Sequence, residues 1–285
     1  PVATGDGADG GGVDGWRLLV EDHDLSWQAG RELVARAAAC GVEVAGAERP
    51  IEALRSVKDD AEVARIAEAC RLTQEALEWL FTEVVAPGLT ERELAIRLER
   101  RFMDSGADAI AFPSIVASGP NAAIPHHEPT DRRLRIGELL TIDCGAVVDG
   151  YHADHTRTVA IGHLDERLTR VHATVAAAQA AGIAAIRPGA VAGEIDAAAR
   201  AVIEEAGFGA AFVHGTGHGV GLAIHEAPAV ARGATATLRP GIVFTVEPGI
   251  YLSGLGGVRI EDTLVVTPDG TARALTDTPR ELRIL

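Results

Sequence analysis

The sequence predicts an α+β protein whose main domain has two similar halves, preceded by a short α/β segment. Three observations predict it. From residue 60 onward the chain reads as helices, strands, helices, strands, an order that suits α+β rather than alternating βαβ units. The first fifty or so residues carry one βαβ-sized pattern. The 285 residues are 47% hydrophobic, enough to bury a core in one large domain or two modest ones.

Residues 1–14 (PVATGDGADGGGVD) are rich in Gly and Asp and are expected to be disordered. A short apolar run over 16–20, a helical stretch over 27–39 and the run VEVAG form the βαβ-sized fragment. Pro50 and IEALRSVKDD read as a connector into a new helix. The expected division is therefore a tail over 1–14, a remnant α/β segment over 15–55 and the main domain over 56–285.

From Asp60, the residues Val63, Ile66, Cys70, Leu77, Leu80 and Phe81 recur at helical spacing up to Pro87-Gly88. Thr90 with Glu93 is a capping box that opens a second helix, to about Asp104. Strand-like runs follow: AIAFPSIVAS, ELLTIDCGAVV and TRTVAIG. Two further helices, near 165–186 and 193–206, are separated by Pro188-Gly189. The chain then returns to strands in IVFTVEPGIYL, GVRIEDTLVVT and ARAL. No direct sequence repeat links the two halves.

A net charge of −15 argues against a nucleic-acid binder and against docking on an anionic membrane. No apolar run approaches the roughly 20 residues of a membrane span, and no signal-peptide pattern opens the chain. Cys40, Cys70 and Cys144 are few, odd in number and share no C-x-x-C spacing. A reducing, cytoplasmic setting is the expectation.

Four segments concentrate acids and histidines beside glycine. TIDCGAVVDGYHADHTRT holds Asp143 and Asp154, the first at the end of an apolar strand, where a carboxylate is costly unless paired or metal-bound. The Asp149-Gly150 turn between them suits a hairpin that brings both acids to one point. HGTGHGVGLAIHEAP carries His214, His218 and His225, with glycines that allow close approach to a ligand and disfavour a helix. FTVEPGIYL and GVRIEDTLVV each embed one glutamate, Glu247 or Glu261, among apolar neighbours. Alone, either glutamate reads as a structural strand residue. Arg259, two before Glu261, shares its face of an extended strand. Four carboxylates and a histidine favour Mn²⁺, Mg²⁺, Co²⁺ or Zn²⁺ over copper or an iron–sulfur cluster. Their charge balances two divalent ions better than one.

The segments DCG…DGYHADHTRT, HGTGHGVGLAIHEAP, TVEPG and RIED resemble the M24 metallopeptidases, and most closely their Xaa-Pro branch, prolidase and aminopeptidase P. The likeness runs from about Ile51 to the end, through ASGPNAAIPHHEPTD and the closing TPRELRIL. It implies a pita-bread fold with pseudo-twofold α/β halves around a curved antiparallel sheet, here behind a truncated N-terminal segment. It also implies hydrolysis of the Xaa-Pro bond, in dipeptides or at peptide N-termini, by a hydroxide bridging two metal ions. By resemblance, the ligands are Asp143, Asp154, His218, Glu247 and Glu261. Asp154 and Glu261 bridge, Asp143 completes one ion, and His218 with Glu247 completes the other.

Glu247 would also shuttle the proton. His225 and His126 would hydrogen-bond the substrate and stabilise the oxyanion, His214 would line the pocket, and His126 with Arg259 would hold a dipeptide carboxylate. The implied cofactor is two ions, Mn²⁺ before Co²⁺ or Zn²⁺, and the implied partner is a small proline-containing peptide. Relatives are often homodimers. His155 before T-R-T and His127 beside His126 depart from the usual pattern, and an Xaa-Pro enzyme usually carries a full N-terminal domain. A methionine aminopeptidase shares the ligands, but HGTGH and Arg259 point away from it. A metal-free pita-bread binding protein would have lost ligands, and none is missing.

Overall fold

A computed structural model describes residues 3–4 and 15–285. The chain divides into two units, Pro1–Leu54 and Arg55–Leu285. In the first, β1 (Ala3–Thr4), β2 (Arg17–Val20), α1 (Trp27–Ala38) and β3 (Glu43–Gly46) form the βαβ fragment read from sequence. β2 and β3 pair in parallel across α1. Ser26 caps α1 by accepting from the Ala29 N–H at 3.2 Å. The tail expected over 1–14 lies outside the described residues, apart from Ala3–Thr4, which pair with β2. The stretch read as a connector after Pro50 is instead a short helix, α2 (Pro50–Ser56). Proline is well placed at its first position, where its missing N–H is not needed.

The second unit opens with α3 (Asp60–Trp79), capped by a reciprocal pair between Asp59 and Glu62. Its last turn widens over Leu80–Val84 before the break at Pro87-Gly88. The expected Thr90–Glu93 box opens α4 (Glu91–Asp104). The run over 109–118 splits into β4 (Ala109–Ile110) and β5 (Ile115–Ser118), because Pro113 lacks a donor for a continuous ladder. There follow β6 (Glu138–Cys144), β7 (Ala146–Val148), β8 (Tyr151–His152) and β9 (His155–Ile161). The second half repeats the order with α5 (Glu166–Ala184), capped by Asp165, and α6 (Ala192–Glu205). Its strands are β10 (Gly217–Gly219), β11 (Glu226–Val230), β12 (Val243–Val246), β13 (Gly249–Leu252), β14 (Gly256–Arg259), β15 (Asp262–Val266) and β16 (Ala272–Ala274).

The named strands of this unit pair antiparallel, and the C-terminal residues add one isolated parallel bridge, Ala160 to Ile284. The expected curved sheet is built as hydrogen-bonded pieces, β5-β6-β9, β4-β7-β8, β13-β14 and β11-β10-β12-β15-β16. The chain breaks between pieces at Gly145, after β6, and at Glu247-Pro248, after β12. Strand β6 is buried on both faces. Leu140 and Ile142 pack with Leu77, Leu98 and Phe102 of α3 and α4, while Leu139 packs with Leu168 and Val171 of α5. That explains the near-continuous apolar run that leads to Asp143.

His172 of α5 is buried, 3% exposed, with Nε2 3.2 Å from the Thr158 carbonyl. Burial outweighs that hydrogen bond and holds its imidazole down at about 4. The unfolded chain takes up the proton near the ordinary value, while the folded chain waits until about 4. The contribution to stability is therefore complete above about pH 6.5 and is lost as pH falls towards 4, by about 3 kcal/mol. Urea unfolding of His172→Gln, which keeps a donor but does not titrate, is expected to show a correspondingly shallower loss between pH 6.5 and 4. An unchanged slope contradicts the assignment.

Candidate metal centre

Asp143 lies on β6 opposite Thr156 of β9, and Asp154 immediately precedes β9. The hairpin expected between the two acids is present and encloses a smaller one, β7-β8. Asp149 and Gly150 make the turn of this inner hairpin with φ of 49° and 80°, the pair of positive values that a tight two-residue hairpin needs. From the other half, His218 lies on β10, Glu247 follows β12, and Glu261 sits between β14 and β15. The glycines around His218 also serve the sheet. A Cβ on Gly217 would lie 2.0 Å from the Thr245 carbonyl, and one on Gly219 would lie 2.2 Å from that of Ala227. They let β10 fit between β11 and β12, and Gly215 and Gly217 line the cavity.

These side chains surround a cavity of about 470 Å³, lined by Asp143, Asp154, His218, Glu247, Arg259 and four further histidines, 126, 127, 214 and 225. Phe112, Ile115 and Ile224 form an apolar part of its wall. Glu261 is 1% exposed and is absent from the cavity lining. Ligand-type atoms of Asp154, His218 and Glu261 all lie within 4.8 Å of one another. His218 Nε2 is 3.4 Å from Asp154 and 3.3 Å from Glu247. Asp143 is held from the side by Arg259 at 2.6 Å.

The donor set fits metal ions. Asp143 Oδ1 and Glu261 Oε1 are buried and have no hydrogen-bond partner. A buried charged oxygen left so is costly. The opposite oxygen of each is fixed: Asp143 Oδ2 by Arg259, and Glu261 Oε2 by the Thr156 hydroxyl at 2.7 Å. Thr245 does the same for Glu247, donating to Oε1 at 3.2 Å, and it accepts from the His218 backbone N–H. His218 Nδ1 lies 3.0 Å from the Gly219 carbonyl. A proton on Nδ1 leaves the Nε2 lone pair facing carboxylates, the arrangement of a metal-binding imidazole.

Electrostatics agree. Burial, with repulsion from Asp143 and Glu247, pushes Asp154 up to about 7 against its bond to His218. Burial and the neighbouring acids push Glu261 well above the carboxylate range. Burial lowers the His218 pKa, but its contacts with Asp154 and Glu247 more than reverse this and hold it at about 11. The cluster draws in positive charge, which divalent cations supply in place of protons.

The histidines sort by burial and partner. His126 is exposed on the cavity wall, whereas His127 is buried with Nε2 2.9 Å from Glu91. The ring of His225 stands edge-on to that of His218, with centroids 4.3 Å apart. The loop carrying His225 is fixed by Glu226, which binds Lys58 at 2.9 Å and Arg55. Both nitrogens of His214 are engaged, with the Gly215 carbonyl at 2.7 Å and the Tyr251 hydroxyl at 2.8 Å. Arg259 lines the cavity, but its donors reach Asp143, Tyr251, Thr156 and the Pro125 carbonyl. The odd His155 is fully buried, 3.1 Å from Thr278, and burial holds it at about 3. It is a packing residue and not a cavity group.

Sequence reasoning missed Tyr251, Thr156 and Thr245. Tyr251 had a signal: it lies an even number of residues after Glu247, on a strand that returns towards the site.

Residues 64–268 match the model of metallopeptidase family M24. The chain is 41% identical to an Xaa-Pro dipeptidase of Pyrococcus furiosus over 232 residues, 81% of this chain and 66% of that protein. Among solved structures, an Xaa-Pro dipeptidase from Bacillus anthracis superposes with a TM-score of 0.89 at 38% identity, over 95% of this chain and 75% of that one. An X-Pro aminopeptidase from Thermotoga maritima gives 0.88 at 34% identity, over 94% and 74%. The chain spans 66% of the length of the first curated relatives it matches. With the family model matched across most of Arg55–Leu285, the chain belongs to metallopeptidase family M24 and has its α+β pita-bread fold.

Proposed function

We propose that this chain is a dinuclear metal peptidase that hydrolyses the Xaa-Pro bond of dipeptides or of peptide N-termini. The observation that carries this reading is the convergence of Asp143, Asp154, His218 and Glu247 on one cavity, with the buried Glu261 grouped within 4.8 Å of Asp154 and His218 and two buried carboxylate oxygens left without partners. The names of the relatives support the substrate class.

Asp143, Asp154, His218, Glu247 and Glu261 would hold the ions, with Asp154 and Glu261 as the ligands common to both, Asp143 serving one, and His218 with Glu247 the other. Mn²⁺ is the expected metal. Two such ions supply a hydroxide at neutral pH and polarise the scissile carbonyl. Glu247, held by Thr245, carries the proton to the leaving nitrogen. His126 and His225, which both line the cavity, would donate to the substrate carbonyl as it gains charge. Phe112, Ile115 and Ile224 offer an apolar surface to a pyrrolidine ring, whose tertiary amide has no N–H to satisfy. Arg259 brings a positive charge to the cavity wall and, with His126, would hold a substrate carboxylate.

The test loads the protein with Mn²⁺ and assays an Xaa-Pro dipeptide, an Xaa-Pro-Yaa tripeptide and an Xaa-Ala dipeptide. Cleavage of the Xaa-Pro bond is expected, with Xaa-Ala cut at least about tenfold less efficiently. Cleavage of the dipeptide alone selects a prolidase, and cleavage of the tripeptide selects an aminopeptidase P. A metal-loaded protein that cuts neither Xaa-Pro peptide overturns the proposal.

A further inference from the structure

Residues 118–130 connect β5 to the stretch before β6, and five of them, Pro125, His126, His127, Glu128 and Pro129, line the cavity. Beyond a single 3-10 turn over Gly119–Ala123 this wall has no regular structure. No strand ladder holds it; isolated bonds such as Arg92 N–H to the Thr130 carbonyl and Arg259 to the Pro125 carbonyl do part of the work. One carboxylate outside the cavity gathers more of its donors than either of these.

Glu91, the first residue of α4, is fully buried. Its Oε1 accepts from the Ser118 N–H at 2.8 Å, the Ser118 hydroxyl at 2.7 Å and the Asn121 amide at 3.0 Å. Its Oε2 accepts from the Thr130 N–H at 3.1 Å, the Thr130 hydroxyl at 2.7 Å and Asn121 at 3.1 Å, and lies 2.9 Å from His127 Nε2. The donors come from both ends and the middle of the wall. Drawing His127 inward leaves its neighbour His126 facing the cavity. A carboxylate suits this place because it only accepts. Several weak donors offset the cost of burying its charge, and its pKa falls below the ordinary value, although burial alone would raise it.

We infer that Glu91 is a positioning residue that sets the substrate-binding wall carrying His126 without touching the metal ligands. The kinetic part of its test rests on the peptidase reading above; the exchange part does not. Glu91→Gln keeps the shape but turns one oxygen into an amide that faces other donors. Amide hydrogen exchange at Ser118 and Thr130 is expected to speed up by at least about tenfold, while the amides of β6 stay protected. Titration with Mn²⁺ alone should match wild type. With an Xaa-Pro peptide, KM should rise about tenfold or more while kcat stays within about threefold. If Glu91→Gln does not fold, Thr130→Val removes one of the donors to Glu91, along with the acceptor of the Arg132 N–H, and should show the same pattern on a smaller scale. Unchanged exchange at 118 and 130, exchange raised equally across the whole unit, or loss of Mn²⁺ binding overturns the inference. So does a loss confined to kcat. If wild type binds Mn²⁺ but cleaves no Xaa-Pro peptide, the peptidase reading fails, and the exchange and Mn²⁺ measurements still decide the role of Glu91.

Discussion

Glu261→Ala is expected to lower kcat/KM for an Xaa-Pro peptide by about 10³-fold or more, roughly 4 kcal/mol of transition-state stabilisation. The size follows from its place. Glu261 is 1% exposed and groups with Asp154 and His218. One oxygen is held by Thr156 and the other has no protein partner. If Glu261 is common to two ions as proposed, alanine would remove that ligand and its negative charge together, and both ions should be affected. Glu261→Gln keeps the volume and loses the charge, and its activity should also collapse. Asp154→Ala, at the other proposed common ligand, should match it. Steady-state kinetics together with metal analysis of each variant checks this. A Glu261→Ala enzyme within tenfold of wild type and with its metal intact contradicts the assignment.

Saturating Mn²⁺ is expected to raise the melting temperature by about 10 °C or more, and a chelator to reverse the rise. A ligand at about 100 times its dissociation constant stabilises the folded state by ~2.7 kcal/mol per site. In a domain of this size each kcal/mol moves the midpoint by roughly 2–4 °C. The effect should be large because the metal-free cluster opposes itself, with burial and neighbouring acids pushing Asp154 and Glu261 up. Calorimetric scans with and without Mn²⁺ measure it. Glu261→Ala should lose most of the shift, and an equal shift in both proteins would place the stabilising ions elsewhere.

Much of the fold was legible in the sequence where its cause is local. The Thr90–Glu93 box, the Asp149-Gly150 turn and the helical spacing of Ile66, Cys70 and Leu77 each act within a few residues. Asp143 and Asp154 stand out in the sequence as acids beside apolar strands, whereas the set of five residues expected as ligands came from the resemblance of the motifs; the structure brings Asp154, His218 and Glu261 within 4.8 Å of one another. What stayed hidden depends on distant chain. The glycines flanking His218 answer to carbonyls of Thr245 and Ala227 on neighbouring strands. Glu91 reads as an ordinary solvated acid of a first helical turn until residues 118–130 fold over it. His126 and His127 both line the cavity, and the difference between them, His127 buried and His126 exposed, goes with the tie of His127 to Glu91, thirty-six residues earlier.

The central claim is that the four carboxylates and His218 hold two ions. Elemental analysis of the Mn²⁺-loaded protein after removal of free metal tests it most directly. Two manganese ions per chain in wild type, falling to one or none in Glu261→Ala, is the predicted result. A wild-type protein that retains no metal, or that holds the same number of ions with Glu261 replaced, would contradict it.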